Sequence, residues 1–459
     1  MLRVDLGELA RAAEAQIIGG ELPIEVTAVS TDSRTLPSPA LFVALRGEHH
    51  DGHDFLKNAI ENGACALLVE QATGFENSVP QLVVSDSLHS LGQMAQHLRR
   101  RLDGPVVAVT GSNGKTTTKE MIACVLAERF EVLKTSGNFN NLIGLPLTLF
   151  ELEENHHAAV LEMGMNVPGE IARLTEIAEP DIAVITNVAS VHLEGLGSIE
   201  GVAHAKGELF EGLGDKGTAI INDEDVLIKD ICARSLGTQE KIYFGYSDSC
   251  DIQILNVSVE KKGTVLALRI EGKLFDFRLP LVGLHHALNA ASAVAVGVAC
   301  QIPQERIIEA LKEVNIPSGR FNIHEVQERQ YVVVDDTYNA NPASMHSAFA
   351  TIGQIRAKRR IAILGDMYEL GEESDKLHQE VGFDAIHHNF ETVISVGQFA
   401  AQTAQGARLA GGNSHAFDEI MAAISFLQDF LEVGDWILVK GSRGMRMERV
   451  VKSLVGGHK

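Results

Sequence analysis

Apolar residues in this chain gather into short β-branched runs, parted by longer stretches in which they recur every three or four positions. Val106–Thr110, Ala158–Met163, Ile182–Asn187 and Ala219–Asn222 have the length and composition of buried strands, and the segments between them have the helical period. Strands alternating with helices in this way predict a mostly parallel sheet covered by helices. The rhythm breaks between Ile252 and Leu281. There polar and apolar positions alternate around Lys261-Lys262-Gly263-Thr264 and Glu271-Gly272-Lys273, which predicts an antiparallel extension of hairpins. A helix over His286–Ala299 follows. Earlier in the chain, Ala40–Leu45 and Cys65–Val69 read as strands, with a helical segment over Asp54–Asn62 and a linking helix over Leu88–Leu102 that stops at Asp103-Gly104-Pro105. Beyond the hinge-like Pro317-Ser318-Gly319-Arg320, strands at Val332–Asp335, Ile361–Leu364, Val393–Val396 and Trp436–Val439 again alternate with helices. The expected fold is α/β in three domains. These are a small α/β domain over 1–103, a central ATPase-like domain over 104–316 whose mostly parallel sheet carries the antiparallel extension, and a Rossmann-like doubly wound domain over 317–459.

Composition narrows the class. Of 459 residues, 45% are hydrophobic and 22% charged, the balance of a globular protein with several cores. A net charge of −22 argues against nucleic acid or an anionic membrane as partner, while leaving room for a local basic pocket. The five cysteines form no CxxC pair, which suits a reducing compartment and supplies no zinc framework. No signal-peptide core and no spanning stretch are visible, so a cytoplasmic protein is expected, without membrane insertion.

Chemistry enters at Thr110-Gly111-Ser112-Asn113-Gly114-Lys115-Thr116-Thr117, directly after the first strand of the alternating series. A glycine-bounded loop leading into a helix turns backbone N–H groups toward an anion, and the helix N-terminus adds partial positive charge. Lys115 suits the outer phosphates, and the Thr116 hydroxyl suits a magnesium ion bridging them. Val109 stands where the strict Walker pattern has glycine, yet strand, glycines, Lys and Thr keep the required order. A nucleoside triphosphate is the expected ligand.

The partners of that loop are less determined by spacing. Glu162 closes a strand and is either a magnesium ligand or a solvated acid. His192 alone is more often structural, and Lys206, in Ala205-Lys206-Gly207-Glu208, would by default be a surface helix lysine. The ensemble changes those odds. Together, the phosphate loop, Glu162, Asn187 to His192 and the Ala-Lys-Gly-Glu segment resemble the Mur ligase family of ATP-dependent amide ligases. Three further segments are similar in order: Asn138 to Pro146, Gly283-Leu284-His285-His286-Ala287-Leu288-Asn289, and Gly319-Arg320 with Asp335 to Pro342. His286 stands where the family pattern has its first asparagine.

The resemblance implies two magnesium ions, held by Thr116, Glu162, His192 and a carbamylated Lys206. A bare lysine is a cation without a lone pair, whereas a carbamate offers hard oxygens. It also implies that ATP lies against Gly111, Ser112, Asn113, Gly114, Lys115, Thr116, Thr117, Asn141, Asn289, Arg320 and Asp336. The catalytic set is then Lys115, Lys206, His192 and Arg320, with the arginine fork on the phosphates.

Met163 to Ile171, His192 to Ser198 and Gly365 to Ser374 resemble the branch that adds D-alanyl-D-alanine to UDP-N-acetylmuramoyl-tripeptide through an acyl phosphate. The Asp-Asn-Pro-Arg motif of the diaminopimelate-adding branch is absent from the sequence. The implied protein is a monomer whose partners are those two substrates. The first domain, with Thr31-Asp32-Ser33-Arg34 and Gly47 to Gly52, would take the UDP end. A folylpolyglutamate synthetase-like ligase would share the ATP machinery but leave the first hundred residues without a role. A GTP switch would need Asn-Lys-x-Asp, which is missing, and a kinase acting on hydroxyls is compatible with the loop alone. The doublets His49-His50, His156-His157, His285-His286 and His387-His388 are not expected to bind metal as pairs, because sequence neighbours point apart. Trp436 is expected in the core, and Glu369 to Asp375 in a solvated loop and helix start.

Overall fold

A computed structural model describes residues 3–456 except 21, 76 and 192. Three α/β units follow one another along the chain. In the first, a five-stranded sheet runs in the order Gln16–Ile18, Gln81–Val83, Ala64–Val69, Ala40–Val43, Ala28–Ser30. Its first pair is antiparallel and the others are parallel. The segment expected as one helix over Asp54–Asn62 divides into a 3-10 turn at Gly52–Phe55 and an α-helix at Leu56–Glu61.

The central sheet has nine strands, in the order Lys273–Leu279, Gly263–Ile270, Ile252–Glu260, Glu240–Gly245, Thr218–Asn222, Ile182–Ile185, Val106–Thr110, Ala158–Glu162, Val132–Lys134. The last seven pair in parallel, and the first three form the antiparallel extension expected from the alternating pattern. Val106–Thr110 is buried along its whole length, which is why its sequence is a continuous apolar run. Its side chains divide by period two: Val106 and Ala108 enter one core, Val107 and Val109 the other. The second of these cores is closed by the phosphate-loop helix Lys115–Leu126 and by His286–Ala299, whose small Ala, Gly and Val residues allow close helix packing.

The first core does not stop at the domain boundary. Leu9, Leu41 and Leu68 of the first unit and Leu174 and Leu209 of the central unit belong to one continuous cluster, bridged by Leu91, Met94 and Leu98 of the helix Ser87–Arg99. Arg99 closes this seam by donating to the Ala178 and Glu179 carbonyls at 2.7 and 2.6 Å, at the C-terminus of the helix Glu170–Ala178, where a cation offsets the helix dipole.

The third sheet runs Asn322–Val326, Tyr331–Asp336, Asp435–Lys440, Arg359–Gly365, Thr392–Val396, Asn413–Phe417, parallel except for the first strand. Helices cover both faces, as the doubly wound pattern requires. Trp436 lies in the core as expected. No helix among the described residues is long and apolar enough to cross a membrane.

Candidate functional site

The phosphate loop leaves Val106–Thr110 where strand order reverses, since the following strands Val132–Lys134 and Ala158–Glu162 lie on one side of it and Ile182–Ile185 on the other. Side chains at the ends of all three strands therefore converge. Gly111 (φ 147°) has no room for a side chain, because a Cβ would fall 1.8 Å from Thr186 Oγ1. Gly114 (φ 81°) takes the left-handed conformation just before the helix. Asn187 fixes the loop between them. Its carbonyl accepts from Ser112 N at 2.9 Å, while its side chain accepts from Asn113 N at 2.9 Å and donates to Asn113 O at 3.0 Å.

From this loop a chain of hydrogen bonds crosses the site. The Arg320 guanidinium donates to Thr116 Oγ1 at 2.7 Å, the Thr116 hydroxyl donates to Glu162 Oε2 at 2.7 Å, and Asn140 Nδ2 donates to Glu162 Oε1 at 2.8 Å. Arg320 lies beyond the central sheet, so the first of these bonds joins the third unit to the phosphate loop. A second join pairs two amides: Asn341 Nδ2 donates to Asn113 Oδ1 at 2.7 Å, and Asn113 Nδ2 to Asn341 Oδ1 at 3.3 Å. Asn341 also caps the helix Pro342–Gln354, in a capping box with Ser344. Asp335 and Asp336 take other partners: Asp335 accepts from Thr337, and Asp336 pairs with Lys440 at 2.6 Å, because both aspartates still belong to the strand.

Between these joins lies a cleft of about 670 Å³ lined from both units. It is rich in cations for so acidic a chain, holding Lys115, Lys206, Arg320 and Lys440 against Glu162, Glu170 and Asp336. The Lys115 ammonium folds onto the Gly111 carbonyl at 2.7 Å. Burial lowers its pKa, Glu162 opposes that shift, and Arg320 adds to it. Lys206 is not the surface lysine its helix position suggests. It is 2% exposed, has no hydrogen-bond or ion-pair partner among the described residues, and is driven well below the usual lysine range by burial and then by Lys115. Glu208, two residues on, faces elsewhere and accepts from Gly169 N and Ala172 N at the start of the helix Glu170–Ala178.

At the other end of the cleft, His285 and His286 are kept neutral by burial, His285 with its pKa lowered to about 4. Both His286 ring nitrogens and Asn289 Nδ2 are buried without a partner, which is costly unless a ligand supplies one. Asn141 also lines the cleft, its side chain accepting from Gly144 N at 2.8 Å.

Ser112, Asn113, Gly114, Lys115, Thr116, Thr117, Asn141, Glu162, Lys206, Asn289, Arg320 and Asp336 thus line one cavity, with Gly111 behind the loop. His192 lies outside the described residues. Asn140, Asn187, Tyr338 and Lys440 were given no role of their own from sequence, although Asn187 opens one of the segments that carry the resemblance. Each directly follows or ends an apolar strand, or sits in a loop at a strand end, and that position was the available signal. Away from the cleft, His388 gathers with Asp384 and His346 while its neighbour His387 stacks on Phe383, so that doublet points two ways. The His285 and His286 rings, by contrast, lie 4.1 Å apart on the same cleft, because the turn into their helix brings both inward.

Comparison with known proteins covers the whole architecture. Residues 25–99 match the Mur ligase family catalytic domain, 109–297 the Mur ligase middle domain and 319–443 the Mur ligase glutamate ligase domain. The UDP-N-acetylmuramoyl-tripeptide–D-alanyl-D-alanine ligase of Escherichia coli is 36% identical over 458 residues, spanning 99% of each chain. A crystal structure of MurF from Acinetobacter baumannii superposes with a TM-score of 0.93 at 31% identity over 100% of both chains. The MurF ligase of Thermotoga maritima in complex with ADP superposes with 0.82 at 29% identity, over 93% of this chain and 96% of that one.

Proposed function

The chain belongs to the Mur ligase family, and from that premise we propose how its cleft works as an ATP-dependent ligase that joins D-alanyl-D-alanine to UDP-N-acetylmuramoyl-tripeptide. The observation that carries the choice of substrates is likeness to ligases of that specificity along the full chain, first unit included. The γ-phosphoryl group of ATP passes to the terminal carboxylate of the tripeptide, giving an acyl phosphate. The dipeptide amine attacks the acyl carbon, and phosphate leaves from the tetrahedral intermediate. No side-chain nucleophile is required. The residues bind, orient and offset charge, which is the main work of phosphoryl transfer.

Lys115 and the loop N–H groups take the β- and γ-phosphates, with Arg320 on the γ-phosphoryl group. Asp336 takes the ribose, and Asn141 and Asn289 the adenine. The buried, partnerless atoms of Asn289 and His286 support a base at that end of the cleft. Thr116 and Glu162 fit a magnesium ion, being hard oxygen donors already 2.7 Å apart. Lys206 fits a carbamate. A buried amine held neutral keeps its lone pair for CO₂, and the anion so formed would face Lys115 in place of a second cation. It would hold a second ion together with His192. When bound, the two ions neutralise charge on the transferring phosphoryl group. The first unit takes the UDP end near Asp32, where Arg34 lowers the carboxyl pKa to about 2, and near the loop closed by Gly52 N on Leu45 O. The enzyme acts as a cytoplasmic monomer.

ADP release measured against a panel of UDP-muramoyl peptides and amines tests this reading. Turnover is expected with the tripeptide and D-alanyl-D-alanine together. Equal turnover with a glutamate or diaminopimelate acceptor would overturn the assignment of substrates.

A further inference from the structure

Arg443 opens the turn Arg443–Met445, just past the strand Asp435–Lys440, and is exposed. Its guanidinium carbon lies 5.7 Å from the centre of the Tyr338 ring. Arg320, which reaches the phosphate loop, lies 3.8 Å from the centre of the same ring. The two guanidinium carbons are therefore within about 10 Å of each other, with one aromatic side chain as the floor between them. Arg320 has Thr116. Arg443 has no ion pair or side-chain hydrogen bond with any described residue, in a chain with 61 acidic side chains against 39 basic ones. Two cations sharing one ring repel each other unless an anion comes between or beside them.

The turn that carries Arg443 is fixed. Ser442 N donates to Asp366 O at 2.9 Å, and Ser442 Oγ accepts from Tyr368 N at 2.8 Å. Gly444 lets the Tyr368 ring lie close, where a Cβ would come within 2.6 Å of it. The turn thus sits at the C-terminal ends of three neighbouring parallel strands, beside the crevice in which doubly wound sheets bind ligands, and Arg443 touches Tyr338 of the cleft lining without itself being part of that lining.

A dipeptide attacking the acyl phosphate has its amine at the acyl carbon, beside the phosphoryl group, and its carboxylate about 7 Å away when extended. That carboxylate needs a cation, and Arg443, within about 10 Å of Arg320, is within reach of that span. We infer that Arg443 is the carboxylate subsite of this ligase. It holds the C-terminal carboxylate of the incoming dipeptide through its planar fork while Arg320 stays with the phosphoryl group. The inference rests on the ligase reading above, and it makes Arg443 a determinant of acceptor specificity.

The test compares D-alanyl-D-alanine with D-alanyl-D-alaninamide, which lacks the carboxylate, as acceptors for the wild-type enzyme and for Arg443→Ala and Arg443→Lys. Wild type should prefer the acid by about tenfold to a hundredfold in kcat/KM, the worth of a charge-assisted hydrogen-bonded pair. Arg443→Ala should bring that ratio near one by raising KM for the acid, and Arg443→Lys should restore part of it. A wild type indifferent to the amide, an Arg443→Ala enzyme that keeps the preference, or one that loses both acceptors equally would overturn the subsite. A wild type that releases no ADP with D-alanyl-D-alanine would instead overturn the ligase reading itself.

Discussion

The amide pair between Asn113 and Asn341 gives a direct measure of what the contact between the third unit and the phosphate loop contributes. Asn113→Ala is a clean perturbation, because the loop is held by its backbone: Asn113 N is bonded to Asn187 Oδ1, and Asn113 O to Thr186 Oγ1 and Asn187 Nδ2. Only the contact across the cleft is lost. At position 341 alanine would also remove a helix cap worth about 1 kcal/mol, so Asn341→Ser, which keeps a capping oxygen, is the better partner. One of the two bonds is short, at 2.7 Å, and the other long, at 3.3 Å, and both are half-buried. At a net ~0.5–1.5 kcal/mol for a well-made bond and less for the long one, the pair contributes about 1–2 kcal/mol. Each single variant should then lower kcat/KM for ATP by about 5- to 30-fold, and the double variant should fall no further than the worse single. Fully additive losses, or an Asn113→Ala enzyme within about twofold of wild type, would refute the claim that these amides hold the closed state through the chemical step.

Lys206→Ala should lower turnover by about 10²–10³, with partial rescue by acetate, and should abolish a ¹³C carbamate resonance that wild type acquires from labelled bicarbonate. In wild type that resonance should weaken as pH falls through the lowered pKa of the amine, since the protonated form cannot take up CO₂. Lys115→Ala should leave the circular dichroism spectrum unchanged and abolish ADP release; turnover near wild type would remove it from the phosphate site. His378 is held as a neutral ring, with Nε2 accepting from Met367 N at 2.9 Å and Nδ1 donating to Ser374 O at 2.7 Å, and burial lowers its pKa below 6.5. Its contribution to stability is complete above pH 6.5 and is lost as pH drops through the lowered value. The melting temperature of wild type should accordingly fall over that range more than that of His378→Asn.

Periodicity located the deeply buried elements well, because burial on both faces writes itself as an apolar run. Val106–Thr110 and the helix His286–Ala299 have the bounds expected of them. Strands with a polar or solvated side left weaker marks. Asn413–Phe417 and Val132–Lys134 lie at sheet edges, and Asn322–Val326 has only part-buried or exposed positions. None of these was expected. Of the site, the phosphate loop was legible locally, since the order of its residues is itself the mechanism. Glu162 and Lys206 stood out only through family resemblance, because their burial depends on strands far away in sequence. The Asn113–Asn341 pair spans 228 positions and leaves no local signature at all. The continuity of the first two cores was hidden too: Ser87–Arg99 read as a linking helix, and its packing on both sides is a tertiary fact.

That continuity has a consequence for turnover. The first and central units are joined by hydrophobic burial, whose loss would cost free energy each time they parted. The third unit meets the phosphate loop through amides, an arginine and a hydroxyl, and meets the antiparallel extension through the ion pair of Lys261 with Glu325 and an apolar contact that includes Val259, Val282 and Phe321. Polar groups of this kind trade one partner for water at little net expense, so such a seam can be undone and remade every cycle. An enzyme that must shield an acyl phosphate from hydrolysis and then discharge ADP, phosphate and a bulky nucleotide product needs a joint that seals without sticking. Grease lies along the seam between the first and central units, and water-exchangeable contacts join the phosphate loop to the third.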